Sequence, residues 1–304
     1  MVYTVTLNPA LDYVMRLDRL DSEDINRAKS AKIISGGKGT NVSTILHRLG
    51  IETKALGFAA GFTGRRFVEL LAEDGIESDF TFLPKGETRI NVKIKADREL
   101  DINAEGPAIT EDDIEMFLGK LDCVKDGDFL VLAGSIPKTL PSDIYERILA
   151  KLDGRGVKCV VDATGELLLN VLKYRPFLVK PNHHELGELF GVVTKTDEEI
   201  VRYAKKLKEA GAVNVLVSRG KDGATLVDES GEVSNIGIVP GKVVSSSGCG
   251  DSMVAGFVAG VIEKGDYAYA LHLGAAAGNA TAFSEGLATA SEIADNFGKL
   301  EIFK

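Results

Sequence analysis

No apolar run in this chain is long enough to span a bilayer, so a transmembrane helix is not expected. The opening Met1-Val-Tyr-Thr-Val-Thr-Leu-Asn-Pro has no basic segment and no small-residue cleavage site, so nothing there argues for secretion. Cysteine is scarce. Cys123, Cys159 and Cys249 are odd in number and far apart, which excludes a disulfide framework and a Cys-x-x-Cys metal site. A reduced, cytoplasmic setting is expected. Positive charge is in deficit: 36 Lys and Arg stand against 45 Asp and Glu, a net charge of −9. Such a field repels phosphate backbones and anionic lipid, so neither nucleic acid nor membrane is an expected partner. A local basic site for a small anion remains compatible with it. Internal repeats and low-complexity segments are absent.

What is present is ordinary folding material. Hydrophobic residues make up 44% and charged residues 27% of 304, which excludes a mainly disordered chain. At roughly 150 residues per domain, this length makes two domains or one large α/β domain. Val2–Thr6 reads as an opening strand. Phe129-Leu-Val-Leu-Ala, Lys158-Cys-Val-Val-Asp, Phe177-Leu-Val-Lys and Val215-Leu-Val-Ser are strands apolar on both faces. Helical periodicity lies between them, at Thr40–Leu49 with Gly50 after it, around Ile144–Leu152 and around Ile200–Leu207. Thr63 is placed to cap a helix that stops before Gly75, and Thr110 with Asp113 resembles a capping box. Doubly apolar strands alternating with helices imply a mostly parallel, doubly wound sheet covered on both faces. Thr88–Lys95 breaks this rhythm. It alternates strictly, with Ile90, Val92 and Ile94 on one face and Arg89, Asn91, Lys93 and Lys95 on the other. A small separate sheet from residues near 11–35 and 86–103 is expected. The pattern alone fits a solvated edge hairpin as well as a lid with a basic inner face.

Four segments carry candidate chemistry. Ser35-Gly36-Gly37-Lys38-Gly39-Thr40-Asn41 runs directly into a helix. Glycines let backbone N–H groups approach a ligand, a helix N-terminus favours anions, and Lys38 and Asn41 add a charge and a hydroxyl partner. It is neither a Walker A loop nor a Gly-x-Gly-x-x-Gly fingerprint, and a plain glycine turn is the alternative. Ser246-Ser247-Gly248-Cys249-Gly250-Asp251-Ser252 likewise opens a helix at Met253–Ile262, with Asp251 as a proton acceptor beside an anion hole or as a simple N-cap. Lys180-Pro181-Asn182-His183-His184-Glu185 follows a strand, where ligand groups collect in parallel sheets. Asn182 and Glu185 share a helical face and could organise water around magnesium. The adjacent histidines should point apart and are not read as a metal site. Val217-Ser218-Arg219-Gly220-Lys221-Asp222-Gly223 fits either nucleotide phosphates or a turn.

In chain order, Gly-Gly-Lys-Gly-x-Asn near 40, Lys-Pro-Asn-x-x-Glu near 182, Ser-x-Gly near 219 and Gly-x-Gly-Asp near 250 resemble the PfkB (ribokinase-like) carbohydrate kinase family. The opening Thr6-Leu7-Asn8-Pro9-Ala10-Leu11-Asp12 and Thr88-Arg89-Ile90-Asn91-Val92 resemble its sugar-phosphate branch, as do Asn103–Pro107, Ala133–Pro137 and Ala282-Phe283-Ser284-Glu285-Gly286. The resemblance implies a ribokinase-like α/β domain over 1–10, 36–85 and 104–304, and a β lid over 11–35 and 86–103 that pairs two subunits into a homodimer. It implies ATP, Mg²⁺ and a sugar-phosphate acceptor, with fructose 1-phosphate expected and tagatose 6-phosphate the alternative; a catalytically silent sugar-phosphate sensor is the outside reading. By the same resemblance Asp251 is the general base, and the amides of Gly248, Cys249 and Gly250 are the anion hole. Asp12, Gly37 and Asn41 meet sugar hydroxyls. Lys38, Arg89 and Ser135 hold the substrate end and its phosphate, and Arg27 reaches a neighbouring subunit's site. Lys180, Asn182 and Glu185 serve Mg-ATP, with the metal held through water. Ser218, Gly220 and Gly223 lie along the nucleotide, and Asn279 lies near the adenine. Cys249 departs from the family's alanine. A thiol at a helix start beside an anion site has reason for a lowered pKa and for reactivity with electrophiles; the alternative is that its sulfur simply fills alanine's packing space.

Overall fold

In the computed structural model, which describes residues 1–21 and 23–303, the first strand is buried along its whole length. This strand, β1 (Val2–Thr6), is followed by β2 (Ala10–Arg16), β3 (Ser30–Gly36), α1 (Lys38–Arg48), β4 (Thr53–Ala60), α2 (Gly61–Glu73) and β5 (Glu77–Leu83). Next come β6 (Arg89–Lys95), β7 (Glu99–Asn103), α3 (Glu111–Lys120), β8 (Phe129–Ala133), α4 (Ile144–Leu152), β9 (Lys158–Asp162), α5 (Gly165–Val171) and β10 (Leu178–Val179). The remainder is α6 (His183–Leu189), α7 (Asp197–Glu209), β11 (Asn214–Ser218), β12 (Ala224–Val227), β13 (Val233–Ile236), α8 (Cys249–Lys264), α9 (Tyr267–Phe283), α10 (Ala290–Phe297) and β14 (Ile302–Phe303).

The large sheet runs β14-β13-β12-β11-β10-β9-β8-β1-β4-β5. It is parallel from β5 to β11 and antiparallel through the last three strands. Helices cover both faces, as the doubly apolar strands require. On one face Val5, Phe58, Leu130 and Leu132 pack with Phe117, Ile148, Leu168, Leu186 and Leu207 from α3 to α7. On the other, Val2, Phe129, Val131 and Val160 pack with Ile45 of α1, Phe257 of α8, Leu271 of α9 and Ile293 of α10, while Phe67 and Leu71 of α2 cover Ala55 and Ala59. The strand order reverses about β1, with β4 on one side and β8 on the other, and that reversal opens a crevice at the carboxyl ends.

A second sheet, β3-β2-β6-β7, stands apart. Its register places Asp12 opposite Ile34 and Asn91, and Val14 opposite Lys32 and Lys93. The other face carries Tyr13, Ile33, Val92 and Ile102 in line. One face is therefore polar and the other apolar, as the alternation at Thr88–Lys95 implies.

Local stops and starts follow residue chemistry. Gly50 and Gly75 adopt positive φ just past α1 and α2. Thr110 and Asp113 form a reciprocal capping box. Thr63 does not cap α2. The helix begins two residues earlier, and the Glu87 carboxylate takes the capping role by accepting from the Thr63 N–H at 3.2 Å and its hydroxyl at 2.9 Å. The rings of His183 and His184 do not point apart. Their centroids lie 3.9 Å apart, because at the first two positions of α6 no preceding turn crowds the side chains.

The glycine loop before α1 is dictated by close approach. A Cβ on Gly39 would sit 2.5 Å from the Thr6 hydroxyl and 2.6 Å from the Val5 carbonyl. Gly39→Ala is expected to cost about 2 kcal/mol or more, because backbone must move. Gly119→Ala, on an open face of α3, meets nothing and is expected to be neutral or mildly stabilising. Thermal melting of the two variants beside the parent checks the contrast.

Candidate active site

A cleft of about 1290 Å³ opens at the carboxyl ends of β1, β8, β9, β10 and β11, lined there by Thr6, Ser135, Asp162, Lys180 and Ser218. The polar face of the small sheet closes its other side with Asp12, Asn91, Lys93 and Lys95. The starts of α1 and α8 point into it. Both helices have glycine at the N-cap, Gly37 at φ 139° and Gly248 at φ 81°, and neither has a side-chain cap. At α1 the Thr40 N–H is taken by the Thr6 hydroxyl at 3.0 Å, which leaves the N–H groups of Lys38 and Gly39, with those opening α8, to face the cleft, where the helix dipoles favour an anion.

Asp251 is in the first turn of α8 but is not its cap. It is 4% exposed, and the amide of Asn41 in α1 donates to its Oδ2 at 2.7 Å, from 210 residues away in the chain. Burial pushes its carboxyl up to about 6, with the charge of Asp162 adding to the rise; Asn41, Lys38 and Lys180 pull the other way. Such a carboxylate is ionised at neutral pH yet able to take a proton. Lys180 lies beneath it, its Nζ 3.3 Å from Asp162 Oδ1 and 3.1 Å from where a Cβ on Gly250 would be. Lys38 Nζ is 3.6 Å from Asp162 Oδ2. Burial works to lower the Lys38 pKa, but the charges of Asp162, Asp251 and Glu185 carry it above its usual value. Lys38 therefore faces the carboxylates near α8.

On the small sheet, Asn91 donates to Asp12 Oδ1 at 2.9 Å and Lys93 Nζ is 2.7 Å from Oδ2. A Cβ on Gly36 would lie 2.8 Å from this carboxylate. Arg89 donates to the carbonyls of Asn8 at 3.1 Å and Ala104 at 3.4 Å, while its Nε is buried without a hydrogen-bond partner. Desolvation lowers its pKa against the pull of Asp12.

Asn182 and Glu185 form the capping box of α6, which uses Asn182 Oδ1 and Glu185 Oε2. Glu185 Oε1 stands outside the box, and both residues line the cleft. Among the described residues no group of three or more His, Cys, Asp or Glu could hold a metal. One carboxylate oxygen beside a phosphate site suits magnesium, which keeps most of its waters and binds through few carboxylates.

The structure thus brings Asp12, Gly37, Lys38, Asn41, Arg89, Ser135, Lys180, Asn182, Glu185, Ser218, Gly248, Gly250 and Asp251 to one cleft. Arg27 is exposed on the β2–β3 connection and does not line it. Gly220, Gly223 and Asn279 also fall outside the lining. Gly223 has a packing reason of its own, since a Cβ there would meet the Ile236 carbonyl at 1.9 Å. Of the two readings of Cys249 the packing one is favoured over activation: burial, then the neighbouring Asp251 charge, pushes its thiol up to about 11. Sequence reasoning placed Asn91 and Lys93 on the polar face of the small sheet but gave them no individual role, and it missed Asp162. Asp162 had a signal, a carboxylate ending a doubly apolar strand.

A doubly wound sheet with two helix starts that lack side-chain caps and a buried carboxylate beside them in one cleft is the arrangement of an α/β enzyme suited to an anionic substrate. The chain belongs to the pfkB family of carbohydrate kinases, whose family model matches residues 5–294. It is 46% identical over 290 residues to a 1-phosphofructokinase of Bacillus subtilis, covering 95% of each chain. It is 37% identical over 304 residues to a D-tagatose-1-phosphate kinase of Bacillus licheniformis, covering 99% of each. Among solved structures, phosphofructokinase-2 from Escherichia coli in complex with substrates and products superposes with a TM-score of 0.93 at 27% identity, over 98% of both chains. The family fold, and a phosphotransferase acting on a hydroxyl, accord with the resemblance read from the motifs.

The raised Asp251 pKa has two consequences of known sign. Turnover is expected to fall about tenfold per pH unit below about 6, as the carboxyl is protonated. A carboxyl that binds its proton more tightly in the folded chain contributes stability that is full below about 4 and lost as pH rises through about 6. Asp251→Asn should therefore lose at least about 10²-fold in turnover, yet melt above the parent at pH 8 and not at pH 4. Turnover profiles and melting curves across pH 4–8 check both arms.

Proposed function

We propose that this protein transfers the terminal phosphoryl group of ATP to the free primary hydroxyl of fructose 1-phosphate, giving fructose 1,6-bisphosphate and ADP. The observation that carries this reading is the buried Asp251, hydrogen-bonded by Asn41, at the amide-lined start of α8 and facing a basic sheet. Asp251 takes the proton from the acceptor hydroxyl as the oxygen attacks phosphorus. The amides of Gly248, Cys249 and Gly250 receive the charge on the phosphoryl oxygens, where preorganised donors count most. Lys38 and Lys180 add two fixed positive charges on the same side. Cys249 acts through its backbone, so the thiol is dispensable.

The acceptor is held from the other side. Asp12, Gly37 and Asn41 meet its hydroxyls, and Arg89 with Ser135 takes its phosphate. The unpartnered Arg89 Nε in a desolvated place supports an anion there. The nucleotide side runs from Lys180, Asn182 and Ser218 to Gly220, Gly223 and Asn279. Glu185, with Asn182, would hold magnesium through water, which would supply charge neutralisation at phosphate oxygens. The small sheet is a lid whose basic inner face fits an anionic acceptor in an acidic protein and keeps water from competing as acceptor.

The free protein is soluble in this reading and works in the cytoplasm; among the described residues no helix is long and apolar enough to cross a membrane. An ATP-consumption assay with Mg²⁺ across fructose 1-phosphate, tagatose 1-phosphate, tagatose 6-phosphate and fructose 6-phosphate tests the acceptor. A dominant kcat/KM for fructose 1-phosphate is expected. Preference for a tagatose phosphate would retain the chemistry and move the specificity, and ATP binding without any turnover would mark a silent sensor.

The outer face of the lid supports a homodimer. Ile33, Ile90, Leu100 and Ile102 are between 41% and 54% exposed on one sheet face. A second copy of the same face would bury them, and would bring Arg27 toward the partner's cleft. Light scattering after size exclusion should report a dimer for the parent and a monomer for Ile102→Glu.

A further inference from the structure

Asp162 has no part in the chemistry above, yet it is the carboxylate at the centre of the cleft floor. It ends β9, its side chain is 3% exposed, and it stands between two ammonium groups from different elements. Oδ1 is 3.3 Å from Nζ of Lys180, which follows β10, and Oδ2 is 3.6 Å from Nζ of Lys38, which opens α1. Oδ2 is buried and accepts no hydrogen bond. A carboxylate taken this far from water costs several kcal/mol unless it is paired, so a residue kept here with one oxygen unbonded asks for a reason.

The surroundings supply one. Two ammonium groups and two helix N-termini converge on one small volume, and every one of them is positive. The other acids acting on Lys38 are Asp251 and, more weakly, Glu185. We propose that Asp162 is a positioning residue that holds Lys38 and Lys180 apart from Asp251, so that the two ammonium groups stay aimed at the phosphoryl oxygens and the base stays free. The inference rests on the reading of the cleft as a phosphoryl-transfer site. Both lysines already act on Asp251 through their charge. After Asp162, Asp251 is the carboxylate that acts most strongly on Lys38, and Lys180 acts on Asp251 as well, so without Asp162 both lysines would be drawn to Asp251. An ion pair there would tie up the oxygen that must receive the proton and draw the lysines off the phosphoryl group.

This arrangement has a signature that a merely structural role lacks. Removing the negative charge leaves the cleft more positive, so ATP should bind as well as before or more tightly, while the chemical step slows. Asp162→Asn keeps shape and removes charge. Asp162→Glu keeps charge and displaces it by one methylene, so that it no longer sits between both ammonium groups.

The test measures kcat and KM for the parent and both variants with ATP and fructose 1-phosphate, and the ATP dissociation constant by titration calorimetry. Asp162→Asn is expected to lose ten- to a hundredfold in kcat with an ATP dissociation constant no weaker than threefold above the parent's. Asp162→Glu is expected to fall between, at least threefold below the parent. If Asp162→Asn does not fold, Asp162→Glu decides: at least threefold lower kcat with parent-like ATP binding supports the role, and parent-like kcat overturns it. An Asn variant within threefold of the parent in kcat, or one losing ATP affinity in parallel with kcat, also overturns it. A parent that transfers no phosphoryl group to any sugar phosphate takes down the functional reading and this inference together. An active parent with an indifferent Asn variant takes down only the role of Asp162.

Discussion

A carboxylate buried at 4% exposure cannot be solvated by water, and the arrangement around Asp251 exists to bear that charge without quenching it. Asn41 gives it one hydrogen bond, two lysines stand near, and the α8 amides lie beside it. Asp162 opposes them with a like charge. The balance leaves the group ionised at neutral pH and still basic. Had the lysines paired with it directly, its pKa would fall and it would take a proton less readily.

Reaching this balance demands backbone in unusual places. Gly37 and Gly248 take positive φ so that two helices can start at the cleft without side-chain caps. Gly39 lets α1 touch β1, and small residues let α8 and α9 meet so closely that a Cβ on Gly256 would come within 2.6 Å of the Leu273 carbonyl. The doubly covered sheet is what makes such demands affordable, since its rigid carboxyl ends place Ser135, Asp162, Lys180 and Ser218 along one edge. The buried charge of Asp251 is carried at a cost in stability at neutral pH.

The small sheet separates two jobs by the period of a strand. Its inward face presents Asp12, Asn91, Lys93 and Lys95 to the cleft, and its outward face presents isoleucine and leucine to whatever covers it. Alternation at Thr88–Lys95 made the two faces legible, but not which of them looks inward. Register gathers Asp12, Asn91 and Lys93 on one face, and the sheet's place over the cleft turns that face inward.

Much of the molecule could be read from local chemistry. Doubly apolar strands, glycine stops at Gly50 and Gly75, the Thr110 capping box and the glycine-led starts of α1 and α8 are decided within a few residues by sterics and hydrogen bonding. Thr63 failed as a cap because Glu87, 24 residues away, did the work, and at the thiol of Cys249 burial outweighs the helix start. What the sequence by itself determined is the architecture and the two glycine-led helix starts, with Asp251 in the first turn of one of them. Only the tertiary structure decided how those pieces act on one another: that Asn41 reaches Asp251, that Asp162 stands between Lys38 and Lys180, and that Asp12 is shared by Asn91 and Lys93. The physical reason is range. Backbone preference acts over a few residues, whereas charge and desolvation depend on neighbours that only folding brings together.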